Sequence, residues 1–256
     1  MQNKSLSTPD RQPTTIVSAP DGTGLATHEF GNPDGPEILF VHGFCQSHLS
    51  FRRQYMSELA ERFRIVSFDL RGHGASDKPC EIECYRSDSI WAQDVASVIA
   101  AKALRNPVLV GWSMGGRVLR EYVLANPKAP IAGINFVSSQ VIQDARCRGP
   151  AAPKVFPETY SLEAEIEWAI TFLENCYGKA PAERDFRIEL AYNMRIPDPI
   201  RRAIAGWLSD PAKAIDRLRT IGIPIMLSHG RKDQVGPSVC LAASSRDNPG
   251  GKDLVV

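Results

Sequence analysis

Short, almost purely apolar runs separated by segments of helical spacing constrain this chain more than any other feature. Ile38-Leu39-Phe40-Val41 and Val108-Leu109-Val110 contain no polar residue, which fits strands buried on both faces better than strands with one wet side. Strands of that kind alternating with helices give a mostly parallel sheet covered by helices on both faces. Eight stretches read as strands: 14–19, 25–30, 37–41, 64–69, 107–112, 131–137, 224–229 and 252–256. Between them, Phe51, Tyr55, Leu59 and Phe63 recur every fourth residue, as do Trp91, Val95 and Ile99, so each segment has an apolar stripe for the sheet. A third helix is expected just after Ser113. It would bury Val118, Leu119, Tyr122 and Val123 and end at Asn126-Pro127, where the residue before proline leaves the helical region.

The alternation lapses between residues 140 and 210, where three helical patterns follow one another at 162–176, 182–194 and 197–208. The expected organisation is therefore an α/β core formed by 1–139 and 211–256, carrying a helical cap over 140–210. The aromatics Trp168, Phe172, Tyr177, Tyr192 and Trp207 fall in that insertion, where they either line a substrate cavity or supply the cap's own packing.

A formal net charge of +1, with no basic stripe or acidic tail, speaks against nucleic acid or an anionic membrane as partner and leaves a small molecule as the expected substrate. Residues 1–20 have no apolar core of the secretory type, and no stretch approaches the roughly 20 apolar residues of a membrane helix. A cytoplasmic location is the expectation. Of the six cysteines only Cys80 and Cys84 lie close together, without the spacing or partners of a zinc site. They are read as free thiols, and no metal is expected.

Gly111-Trp112-Ser113-Met114-Gly115-Gly116 ends one apolar run and opens a helix, the context that gives G-x-S-x-G its mechanical meaning. A chain of this length yields about 0.1 such matches by chance, and fewer at a strand-to-helix junction. The chemistry needs glycines at 111 and 115 because a turn sharp enough to project the serine hydroxyl brings those positions against neighbouring backbone. The amides of the following helix then face the oxyanion that forms when Ser113 attacks a carbonyl. A glycine-rich turn with a helix-capping serine is the other reading of the same residues.

On these residues the chain resembles the α/β-hydrolase superfamily, in the branch of esterases, cofactor-free haloperoxidases and C–C bond hydrolases. Three further pieces carry the resemblance: Phe40-Val41-His42-Gly43-Phe44, Asp69-Leu70-Arg71-Gly72-His73-Gly74-Ala75-Ser76, and Ser228-His229-Gly230-Arg231-Lys232-Asp233. The resemblance implies a mostly parallel eight-stranded sheet, Ser113 as nucleophile and Asp233 as triad acid. It implies an oxyanion hole from the Phe44 and Met114 amides, and Trp112 beside the substrate. It implies no cofactor. Serine at 113, where the superfamily's dehalogenases and epoxide hydrolases use a carboxylate nucleophile, favours ester or acyl chemistry or perhydrolysis.

In this fold the chain order is serine, acid, histidine. The five histidines, at 28, 42, 48, 73 and 229, all precede Asp233. The resemblance gives His42 and His73 structural roles, His28 and His48 read as surface residues, and His229, nearest in sequence to Asp233, is expected to have its direction fixed by its strand. The expectation is thus a chain that stops short of its histidine and of a closing C-terminal helix, and that is nearly inactive as written. A non-catalytic ligand-binding homologue is the competing class.

Overall fold

A computed structural model describes residues 13–139, 141, 149–151, 156, 161–208, 218 and 221–236. Seven strands form one sheet among these residues: β1 (Thr15–Ser18), β2 (Gly24–Gly31), β3 (Glu37–Val41), β4 (Arg64–Phe68), β5 (Val108–Trp112), β6 (Gly133–Val137) and β7 (Ile225–Ser228). Their order is β1-β2-β4-β3-β5-β6-β7. The first two pairings are antiparallel, and β4, β3, β5, β6 and β7 run parallel. The expected strand at 252–256 lies outside the described residues.

Strand alternation sorts the core into two faces. Leu39 and Val41 join the larger cluster with Val66, Phe68 and Leu109, beneath helices α3 (Asp88–Ala101) and α4 (Met114–Ala125). Ile38, Phe40 and Ile65 point the other way and pack on Phe51 and Tyr55. The four α4 residues expected in the core, Val118, Leu119, Tyr122 and Val123, are all buried. That helix ends at Asn126, whose side chain donates to the Tyr122 carbonyl at 2.9 Å.

The continuous helix suggested by Phe51, Tyr55, Leu59 and Phe63 is instead broken into a 3-10 turn (His48–Phe51), α1 (Arg52–Tyr55) and α2 (Glu58–Arg62). Ser57 makes the break: its backbone is extended and its hydroxyl accepts from the Leu59 amide, so it caps a new helix. The apolar spacing survives because Phe51 and Tyr55 still face the sheet.

Between β6 and β7 lie α5 (Leu162–Asn175), α6 (Glu183–Asn193) and α7 (Asp198–Ala205), with no strand among the described residues there. Ser161 caps α5 by accepting from the Ala164 amide, with Glu163 and Glu165 in the first turn. Phe172, Tyr192 and Trp207 are buried. Polar contacts tie these helices to the rest: Asp185 of α6 pairs with Arg52 and with Arg53 at 3.2 Å, and the Trp207 indole donates to Asp88 at 2.7 Å.

Candidate active site

The parallel strands deliver their carboxyl ends to one edge of the sheet, and the residues singled out by sequence gather there. Register places Trp112 beside Val137 and Val137 beside Ser228. Ser113 and the turn carrying Asp233 therefore follow the ends of strands separated by one neighbour.

Ser113 has φ 52° and ψ −118°, a left-handed conformation that a residue with a side chain adopts only when its surroundings impose it. The surroundings are identifiable. The Ser113 amide donates to the Val137 carbonyl at 2.9 Å, and its carbonyl accepts from the Ser139 hydroxyl at 2.7 Å and the Gly116 amide at 3.0 Å. Its own hydroxyl makes no capping bond, so the helix-cap explanation of this serine fails. A Cβ at Gly111 would lie 2.6 Å from the Gly116 backbone, and one at Gly115 would lie 2.2 Å from the Val41 carbonyl oxygen. Both positions exclude any side chain.

The segment after β3 lies against this elbow, since a Cβ on Gly43 would come within 3.2 Å of the Ser113 Cβ and 3.5 Å of the Trp112 ring. Gly43–Gln46 is a type II turn, closed by the Gln46 amide on the Gly43 carbonyl at 3.2 Å with Cys45 at φ 58°. The Gly43 carbonyl is also bonded by His42 Nδ1 at 2.8 Å. In a planar trans peptide the Phe44 N–H must then point the opposite way. Among the described residues neither the Phe44 nor the Met114 amide is spent on a partner.

Buried imidazoles hold this loop. Burial pulls His42 down to about 4 and His73 down to about 3, so both are neutral at ordinary pH and each offers one donor and one acceptor. His42 Nε2 accepts from the Leu70 amide at 3.0 Å. His73 donates Nδ1–H to the Arg71 carbonyl at 2.9 Å and accepts from the Cys45 amide at 3.2 Å. The Phe44 ring meets Phe172 and Trp168 edge-on, at 5.9 and 6.4 Å between centroids, which sets α5 beside the elbow.

Asp233 lies in the turn after β7. One oxygen accepts from the Val235 and Gly236 amides, each at 2.9 Å, and the other lies 3.2 Å from His229 Nε2. Burial alone would raise this carboxyl, but those bonds, led by His229, outweigh it and hold Asp233 below the usual carboxylate range. The same contact raises His229. Sequence reasoning left His229 without this role; its spacing of four residues from Asp233 was the only available signal.

His28 and His48 are not surface residues. Their rings stack at 3.4 Å and both face the buried Asp69, His48 Nδ1 at 2.9 Å and His28 Nε2 at 3.7 Å. These three residues bring ligand-type atoms within 4.8 Å of one another. Parallel rings in contact, however, cannot both aim an in-plane lone pair at one ion roughly 2.0–2.1 Å from each nitrogen. The arrangement instead satisfies Asp69, which also accepts from the His48 and Ala75 amides at 2.8 Å. Cys80 and Cys84 are free thiols.

A sheet of this order with a strained serine elbow at its carboxyl edge defines a class, and comparison with known proteins agrees. The family model described as alpha/beta hydrolase fold matches residues 36–256; the chain belongs to that family. It is 41% identical over 100 residues to the probable oxidoreductase EphD of Mycobacterium tuberculosis, a match covering 39% of this chain and 17% of that protein. It is 26% identical to the non-heme chloroperoxidase of Streptomyces lividans, across 90% of this chain and 86% of that one. Among solved structures, a putative aryl esterase from Burkholderia cenocepacia superposes with a TM-score of 0.86 at 30% identity, covering 94% of this chain and 88% of its own. No helix among the described residues is long and apolar enough to cross a membrane.

Proposed function

We propose that this protein is a serine hydrolase acting on a small carboxylic ester or a related acyl compound. The observation that carries the reading is the backbone of Ser113, held at φ 52° with its hydroxyl unused by the helix it precedes. Strain of that kind is maintained where it serves a site. Ser113 Oγ attacks the carbonyl carbon, and the Phe44 and Met114 amides receive the charge that develops on the carbonyl oxygen. Collapse of the tetrahedral intermediate breaks the ester C–O bond; the leaving oxygen takes the proton given up by Ser113 and departs as the alcohol, and water then hydrolyses the acyl-Ser113 to the carboxylic acid. Helices α5 to α7 form the cap over the acyl group, and Trp112, packed on Gly43, is the residue we place beside it.

Asp233 is the acid of the triad in this reading. The base it would orient is not His42 or His73, whose nitrogens are both engaged, nor His28 or His48, which face Asp69; His229, the histidine in contact with Asp233, turns its Nε2 to that carboxylate and to the Gly236 carbonyl and has no bond to Ser113 among the described residues. A site with the hole and the nucleophile but no base retains about 10³–10⁴-fold acceleration over water. Perhydrolysis is a second reading, supported by the chloroperoxidase match; it uses the same groups, with peroxide in place of water.

Mass spectrometry after incubation with short-chain p-nitrophenyl esters tests the proposal. We expect acyl transfer to Ser113 and none in Ser113→Ala; equal p-nitrophenol release by both proteins would overturn it.

A further inference from the structure

Cys45 is the second strained residue of this site, and it follows the proposed oxyanion donor Phe44. It is fully buried, with φ 58° at the third position of the Gly43–Gln46 turn, where a type II turn calls for glycine. A residue with a side chain disfavours that conformation by about a factor of five to thirty. Rotating the central peptide into a type I turn would relieve the strain, so something must prevent it.

One side chain holds that peptide and a second holds the peptide that follows it, and they come from different parts of the chain. The Cys45 amide donates to His73 Nε2 at 3.2 Å, from the turn after β4. The Cys45 carbonyl accepts from Asn193 Nδ2 at 2.9 Å, from the last residue of α6 and 148 positions away. Asn193 is completely buried. The next residue repeats the pattern, since Gln46 Oε1 accepts from the Tyr192 hydroxyl at 2.8 Å and from Ser50 at 3.3 Å. One turn of α6 thus grips both residues that follow Phe44.

We propose that Asn193 is a positioning residue that locks the Gly43–Gln46 turn in its left-handed form, so that the oxyanion hole is complete only when α6 is docked. The assignment of the hole to Phe44 and Met114 is the reading given above, and this inference rests on it for its effect on chemistry, though not for the lock itself. Without Asn193 the Cys45 carbonyl is a buried acceptor with no partner, so the Cys45–Gln46 peptide shifts to find one and the strain at Cys45 is held by the His73 bond alone. Docking of the α5–α7 segment and formation of the hole become one event, and substrates that keep α6 seated are processed faster.

The test compares the full chain with Asn193→Ala, the near-isosteric Asn193→Leu, Cys45→Gly and the Asn193→Ala/Cys45→Gly double variant. Amide hydrogen exchange reads the lock without catalysis. Loss of the Asn193 donor should speed exchange of the 43–47 segment by about five- to tenfold while the α4 peptides stay unchanged. Glycine at 45 removes the strain, so the double variant should exchange more slowly in that segment than Asn193→Ala. Fluorophosphonate labelling of Ser113 reads the hole. Its rate should fall about tenfold in Asn193→Ala, less than the 10²–10³ lost with an oxyanion donor itself, and recover in the double variant. Should Asn193→Ala fail to fold, Asn193→Leu carries the same comparison, because it keeps the volume and loses the donor. Unchanged exchange at 43–47 in the folded variant, or no recovery with glycine at 45, overturns the inference. Absence of labelling in every protein, parent included, counts against the hydrolase reading, while exchange still decides the lock.

Discussion

Replacing Gly115 with alanine separates the stability of this fold from its proposed chemistry. The added methyl carbon would stand 2.2 Å from the Val41 carbonyl oxygen and 2.6 Å from that of His42. Both atoms belong to backbone that leads straight into the Phe44 loop, so no side chain can swing aside. Relief requires α4 and the end of β3 to part by about 1 Å. Overpacking of this kind costs about 1–3 kcal/mol, and alanine returns up to about 1 kcal/mol in a helix relative to glycine. The net loss of stability should therefore be modest, about 0–2 kcal/mol in urea unfolding. The loss of reactivity should be larger, because the displacement separates the Phe44 and Met114 amides and a 1 Å misplacement costs about 10²-fold. Gly178→Ala is the control, since a Cβ there meets nothing within 4 Å. A folded Gly115→Ala protein that modifies Ser113 as fast as the parent would refute the reasoning.

Three further outcomes follow from other parts of the molecule. Asp94→Ala should destabilise by about 3 kcal/mol in urea unfolding, because it takes the bidentate partner (2.6 and 2.7 Å) from the buried Arg71 and leaves it Asp21 and the Cys84 carbonyl; a change below about 1 kcal/mol would contradict this. His42 and His73 are depressed in the folded state to about 4 and about 3, so the unfolded chain takes up their protons first. Stability is then complete above about pH 6.5 and lost as pH falls toward 4, by up to a few kcal/mol per group; thermal midpoints that stay flat from pH 7 to 4.5 would contradict it. Ser139→Ala removes the hydroxyl that donates to the Ser113 carbonyl at 2.7 Å; it should slow Ser113 modification several-fold with about 1 kcal/mol lost in urea unfolding, and parental behaviour in both assays would count against that hydrogen bond.

Features that repeat along the chain were legible in the sequence. The seven strands fall within about two residues of the expected stretches, most plainly β3 and β5, where burial on both faces leaves almost no room for polar residues. The elbow at Ser113 was legible because close backbone approach at Gly111 and Gly115 forbids side chains. What escaped was set by single hydrogen bonds between distant residues. Nothing periodic announces that Asn193 reaches the Cys45 carbonyl, or that Asp69 draws His28 and His48 inward. The break at Ser57 was hidden for a related reason: a capping serine interrupts the helix without disturbing the four-residue apolar spacing around it.

The account stands on the claim that position 113 turns its hydroxyl toward the unspent amides of residues 44 and 114. Peptide mapping after brief exposure to a fluorophosphonate measures this most directly. The account predicts a single adduct, on Ser113, formed only while the protein is folded and missing from Ser113→Ala. An adduct on another serine of the folded protein, or none at Ser113 under conditions where the elbow is intact, would contradict it.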